Sequence, residues 1–277
     1  LPVLFSVYMD FESFLVPTQN NGTKHVTSGF AAIRVGTDSK HTDKVLCYSD
    51  AAVANDHDHV MREVFKYLEI QDRYAQKILS NNSSMKLSAA DEKNFRNATH
   101  CYVCHENFRE KQLKKVRDHD HLSSNEVSNY RGAACNACNL ALKPRHGKSR
   151  FTSEGGYFIP IFLHGGSGYD FRLILKQFSK RFTEDEIAVI PSNTEKFIGF
   201  TIGNFRFLDS CKFLTASLDS LTQNLIKSGK DKFRHTKTEF GDSDLVFRKG
   251  VYCYEYMTGS DKFLETKLPP REAFYSQ

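Results

Sequence analysis

Two cysteine pairs, Cys101-x-x-Cys104 and Cys135-x-x-Cys138, stand 30 residues apart and bracket the run Val116-Arg-Asp-His-Asp-His121. Thiolates at that spacing are those of a closed tetrahedral zinc site. Zinc enclosed by four thiolates has no open position for substrate, so the cysteines alone describe a structural ribbon. The run between them is chemically different. Asp118, His119, Asp120 and His121 occupy four consecutive positions. A carboxylate there can bind a hard divalent cation through oxygen. An adjacent histidine, titrating near neutrality, can activate a water, and the cation would stabilise the leaving oxygen of a phosphodiester. The plainer alternatives are a solvated turn or spare zinc ligands.

Charge is concentrated in the same place. From Cys101 to Arg150 there are ten Lys or Arg and five Asp or Glu, a net +5 that equals the excess of the whole chain. Lys111, Lys114, Lys115 and Arg117 precede the Asp-His run, and Lys143, Arg145, Lys148 and Arg150 follow the last cysteine. Such runs are often only solvated faces. Beside a hydrolytic cluster they suit a polyanionic substrate.

In order, Cys-Tyr-Val-Cys (101–104), Val-Arg-Asp-His-Asp-His (116–121), Tyr-Arg-Gly (130–132) and Cys-Asn-Ala-Cys-Asn (135–139) resemble the phage recombination endonuclease VII family. Those are His-Me finger nucleases, with a ββα-metal site beside a four-cysteine zinc. The resemblance covers about 50 residues and implies roles by position. Asp118 and Asn139 correspond to the protein ligands of a catalytic Mg²⁺ or Mn²⁺, and His119 to the general base. Asp120 and His121 correspond to accessory groups, and Cys101, Cys104, Cys135 and Cys138 to the ligands of structural zinc. DNA would be the partner, branched or single-stranded, gripped by Lys114, Lys115, Arg117, Arg131, Lys143, Arg145 and Lys148. The helical dimerisation arm of the family has no counterpart after Asn139, so paired junction cleavage does not carry over.

These residues need a scaffold. Residues 2–9, 29–35 and 44–48 read as strands of an antiparallel meander. Residues 57–79 carry apolar side chains at helical spacing. Ser88-Ala-Ala-Asp91 is a capping-box start for a short helix reaching Ala98. Residues 147–156 read as a linker and 157–163 as a buried strand. A helix over 171–182, strands at 187–190 and 197–207 (the latter one strand or a hairpin), and a helix opening at Ser217 follow. Beyond Lys227 the chain reads as polar and irregular as far as 245–256. The pattern predicts an α/β or α+β fold with the zinc segment inserted.

Asp10-Phe-Glu12 follows the first apolar strand, and residues i and i+2 of a strand share a face. With Tyr169-Asp170 it resembles the proofreading 3′–5′ exonuclease domain of B-family DNA polymerases, which is RNase H-like. Ser217-Leu218-x-x-Leu221 is similar to the single-strand-binding motif of protein-primed polymerases, and Lys249-Gly-Val-Tyr252 to their lysine motif. Phe205–Ser210 and Leu268–Phe274 are similar to polymerases of Polinton/Maverick-type transposons. Residues 1–86 and 150–277 would then form one discontinuous RNase H-like domain, with 87–149 as the insert. Gly165 and Gly166 stand where the second exonuclease motif has Asn, and the third motif would lie beyond Gln277. Asp10, Glu12 and Asp170 are therefore expected to bind a cation weakly and to make a poor exonuclease.

At 277 residues the chain can bury one large core or two smaller ones. No run approaches the roughly 20 apolar residues of a membrane-spanning helix. Leu1-Pro2 reads as the start of an excised fragment without a signal peptide. The three further cysteines, Cys47, Cys211 and Cys253, are scattered, which suits an intracellular protein, nuclear in a eukaryote. The leading expectation is a metal-dependent DNA endonuclease within a polymerase-type fragment. The alternatives are a non-cutting zinc DNA-binding module and a 3′–5′ exonuclease domain.

Overall fold

The alternation Phe5, Val7, Met9, Phe11 buries one face of the first strand, β1 (Phe5–Pro17), and leaves Tyr8, Asp10 and Glu12 on the other. The computed structural model describes residues 3–19, 22–49, 58–80, 83–123, 125–142, 157–178, 187–193, 197–241 and 243–275. Two compact units emerge: Val3–Leu68 with Phe158–Gln277, and Glu69–Tyr157.

In the first unit β1 pairs antiparallel with β2 (Thr23–Gly36), and β2 with β3 (Leu46–Ser49), as the meander predicted. The chain then forms α1 (His59–Leu79), within which the division between units falls. After the other unit it returns as β6 (Ile159–Leu163), which lies parallel to β1 through Val7↔Ile161 and Tyr8↔Phe162. The expected helix follows as α4 (Asp170–Phe178); the expectation for 179–182 lies outside the described residues. Next come β7 (Ile187–Pro191), β8 (Phe197–Ile202) and β9 (Phe205–Asp209), the last two an antiparallel hairpin. The seven-stranded sheet has the order β3-β2-β1-β6-β9-β8-β7, parallel only where β1, β6 and β9 adjoin. Sequence-distant strands therefore sit side by side at its centre.

Phenylalanine fills this unit. Phe5, Phe171, Phe178, Phe200 and Phe207 are all below 2% exposed or at that level, each burial worth about 1.5–3 kcal/mol. Phe65 of α1 meets Phe178 of α4 edge-on at 4.7 Å, and Phe178 meets Phe207 at 5.8 Å, so both helices cover one face of the sheet. On the other face Phe14 of β1 joins Cys253 and Met257 in a smaller cluster, with Val16, Tyr252, Tyr256 and Phe263 packed around it. The C-terminal stretch contains α5 (Leu218–Lys227) and α6 (Arg234–Phe240), then short 3-10 turns. The sequence patterning did not anticipate α6.

The second unit contains α2 (Ala89–Asn97), β4 (Lys115–His119), β5 (Tyr130–Cys135) and α3 (Asn136–Leu142). Ser88 caps α2 through the expected capping box: its hydroxyl accepts from Asp91 N–H, and the Asp91 carboxylate accepts from Ser88 N–H. β4 and β5 pair antiparallel, and α3 follows directly, giving a ββα order. Residues 147–156, read as a linker, lie outside the described residues.

Candidate functional site

The first cysteine pair forms a tight knuckle. His105 N–H donates to Cys101 O at 2.9 Å, and His105 takes φ 60°, the left-handed conformation that closes the turn. The second pair sits where β5 becomes α3: Cys135 ends the strand and Cys138 lies in the first turn of the helix. All four Sγ atoms lie within 4.8 Å of one another. Cys135 N–H donates to Cys101 Sγ at 3.2 Å and Cys138 N–H to Cys135 Sγ at 3.4 Å. Burial opposes ionisation of Cys101, but the backbone N–H groups of Cys104, Cys135 and Val103 outweigh it and bring this thiol to about 6. Soft sulfur ligands, converging and fed by N–H donors, fit a structural zinc ion. Among the described residues no other group of three His, Cys, Asp or Glu side chains is so placed. Phe108, Ala133 and Ala134 pack beside the cysteines, a core too small to stand without such a staple.

Asp118 and His119 end β4, where the pairing with β5 shifts register between them. The extra residue is on β5, where Arg131 falls between Gly132, the partner of Asp118, and Tyr130, the partner of His119. Asp118 is 3% exposed. Its Oδ1 accepts from Arg131 Nη2 at 2.9 Å and its Oδ2 from the hydroxyl of Tyr102. Burial first, and then the Asp118 hydrogen bond, push the Tyr102 phenol up to about 12, so it remains a donor. His119 is half-buried, its ring 4.1 Å centroid to centroid from that of His121. Asp120 turns the loop, its Oδ1 accepting from Leu122 N–H at 2.9 Å. Asn139 lies on α3, half-buried and immediately after Cys138. The carboxylate of Asp118 and the amide of Asn139 are oxygen donors of the kind a hard cation takes.

Sequence reasoning missed two contributors. Asn129 is buried and accepts from Lys86 N–H at 2.7 Å while donating to Ser84 O at 2.9 Å and Asp120 O at 3.2 Å. It fixes the loop that follows the Asp-His pair. Tyr102 was hidden as an unassigned position between two cysteines. The only signal for it is Gly132, opposite Asp118 in the hairpin register. A Cβ there would stand 2.7 Å from the Tyr102 ring.

The basic residues divide. Lys115 Nζ donates to the carbonyls of Phe95, Ala98 and Arg96 at 2.8, 2.9 and 3.1 Å, closing the C-terminal end of α2. Arg117 grips both carboxylate oxygens of Glu92 at 2.9 and 3.0 Å and lies 4.0 Å over the ring of Phe95. Arg131 is paired with Asp118. Lys111 and Lys114 are exposed. Lys143, Arg145 and Lys148 lie outside the described residues.

In the sheet unit Asp10 and Glu12 do share a face of β1, and Asp170 opens α4 just beyond β6. Asp10 is exposed by area, yet enough protein surrounds it that desolvation, with lesser opposing help from Phe11 N–H and His164, raises it. Desolvation and then Asp10 raise Glu12. Asp170 is 6% exposed, and burial followed by Asp10, Asp209 and Glu12 pushes it up to about 7. Asp209, at the end of β9, is tied down by Gly165 N–H, Cys211 N–H and both donors of Ser167. Ser217 caps α5 by accepting from Ser220 N–H at 3.2 Å, and Leu218 is 62% exposed. Lys249 N–H donates to Asp219 at 3.2 Å, so the two sequence motifs adjoin.

Residues 76–152 match the family model of recombination endonuclease VII. Comparison with curated proteins and with solved structures gave no match. The matched segment contains the four cysteines, the Asp-His run and Asn139. It indicates a DNA endonuclease, a phosphodiester hydrolase. No helix among the described residues is long and apolar enough to cross a membrane.

Proposed function

We propose that the chain cuts branched DNA, such as a four-way junction or a flap, by metal-dependent hydrolysis in its ββα segment. The observation that carries this is the family match over a hairpin that presents Asp118 and His119 beside the four-cysteine cluster. Asp118 and Asn139 would hold Mg²⁺ or Mn²⁺, which when bound supplies charge stabilisation at the scissile phosphate. His119 takes the proton of the attacking water. The His121 ring lies beside it, the centroids 4.1 Å apart and the planes at 45°. Arg131 and Tyr102 orient the Asp118 carboxylate through one hydrogen bond to each oxygen. The products are a 5′-phosphate and a 3′-hydroxyl.

We further read the sheet unit as an RNase H-like domain of a protein-primed, Polinton/Maverick-type polymerase acting inside the cell. The antiparallel β3-β2-β1 edge joined to parallel β6 and β9 supports this, as do the neighbouring carboxylates of Asp10, Glu12 and Asp170. The same carboxylates favour 3′–5′ exonuclease action as the second reading. Incubation of four-way, flap and linear DNA with Mg²⁺ or Mn²⁺ tests both. The first reading requires cleavage of a branched form by wild type and not by His119→Ala. Digestion from labelled 3′ ends, lost in Asp10→Ala and kept in His119→Ala, would move the chemistry to the sheet unit.

A further inference from the structure

Tyr102 belongs to the zinc knuckle by position and to the Asp-His pair by contact. It stands between Cys101 and Cys104, and its backbone N–H donates to Ala133 O at 3.0 Å on β5. Its ring then crosses the bare backbone of Gly132, where a Cβ would come within 2.7 Å of Cδ1 and 2.8 Å of Cγ. Its hydroxyl ends on Asp118 Oδ2, while Arg131 holds Oδ1 at 2.9 Å. Two donors on opposite oxygens fix the plane of a carboxylate that is 3% exposed and cannot relax into water. Resting on the assignment of Asp118 as a cation ligand, we propose that Tyr102 is a positioning residue that sets the Asp118 carboxylate for a divalent cation and couples it to the zinc-held loop.

Hydrogen-bond partners of metal ligands typically carry about 10–100-fold in metal affinity. The test uses the full zinc-loaded chain, with Asp10→Ala in every sample so that the sheet unit's acids contribute little. Mn²⁺ binding is measured by calorimetry, zinc by elemental analysis, and junction cleavage across Mn²⁺ concentrations. Tyr102→Phe is expected to keep its zinc, to bind Mn²⁺ about 10–100-fold more weakly at the site lost in Asp118→Asn, and to need correspondingly more Mn²⁺ for half-maximal cleavage. Gly132→Ala, which displaces the ring but keeps the hydroxyl, should shift Mn²⁺ dependence in the same direction. Unchanged Mn²⁺ affinity in Tyr102→Phe overturns the role of Tyr102 alone. Loss of zinc in that variant overturns it too, by making the residue part of the scaffold. Mn²⁺ binding that survives Asp118→Asn overturns the ligand assignment itself. A wild type that binds Mn²⁺ through Asp118 but cuts no DNA ends the cleavage proposal, and Tyr102 is then judged on Mn²⁺ affinity.

Discussion

Lys115→Met separates a structural lysine from a DNA-binding one. The Lys115 ammonium spends its three donors on carbonyls of the last turn of α2 and sits 4.9 Å from the Phe95 ring centroid. A hydrogen bond to a charged donor contributes about 1.5–3 kcal/mol. A cation at a helix C-terminus adds about 0.3–1 kcal/mol. Partial exposure of the side chain, and the sharing of one ammonium among three acceptors, reduce the sum to about 2 kcal/mol. Methionine keeps the aliphatic packing, so this loss isolates the ammonium. With a urea dependence of about 2 kcal/mol/M, the unfolding midpoint of the zinc-loaded chain should fall by about 1 M. Circular dichroism in urea reads that shift. DNA affinity measured against salt gives the second readout: a phosphate contact removed from duplex DNA flattens the log–log slope by about 0.9. The cap assignment expects a lower midpoint and an unchanged slope. An unchanged midpoint with a flattened slope would refute it and make Lys115 a phosphate ligand.

Cys135→Ser should abolish tight zinc binding and unfold residues 69–157, since zinc contributes on the order of 10 kcal/mol to small zinc modules; elemental analysis and circular dichroism check it, and undiminished zinc would count against the site. His119→Ala should slow junction cleavage by about 10²–10⁴-fold with DNA affinity retained, measured by single-turnover kinetics and a binding titration; wild-type rates would place the base elsewhere. Asp170→Asn should stabilise the chain above pH 7. The folded carboxyl holds its proton up to about 7, whereas the unfolded one releases it near 4. Stability contributed by protonated Asp170 is therefore full below about pH 4 and lost as pH rises to about 7. Without added divalent cations, the variant's advantage in unfolding free energy should grow across that window, to at most about 4 kcal/mol. An advantage that does not vary with pH would refute the raised proton affinity.

Local signals in the sequence carried local structure well. The cysteine spacing delivers four converging sulfurs, the Ser88–Asp91 box starts α2, and alternation along β1 puts Asp10 and Glu12 on one face. Periodicity does not announce the parallel pairing of β1 with β6, because its partners lie more than 150 residues apart. Charge was the poorest guide. A basic run near an acidic loop reads alike whether its members face solvent or pack on a helix: Lys115 closes the C-terminal end of α2, Arg117 pairs with Glu92 in its first turn, and Lys114 is exposed. Tyr102 and Asn129 escaped because their value lies in partners 16 and 43 positions away. Only a fold brings such partners within reach. Helix α6 has no cap side-chain hydrogen bond at its start, which explains why no start signal was visible.

The small cluster around Phe14 gives the C-terminal stretch a part in the acidic face of β1. Phe14 and Val16 continue the side of the strand that carries Asp10 and Glu12, and Cys253, Met257 and Phe263 cover them. Tyr254, between those residues, reaches the Glu12 carboxylate. A protease nick that peels this stretch away would bare an oily strip next to the acids while sparing the phenylalanine packing under α1 and α4. The trimmed protein should then capture a hydrophobic fluorophore and stay folded on its opposite side, because the C-terminal stretch walls the acidic face.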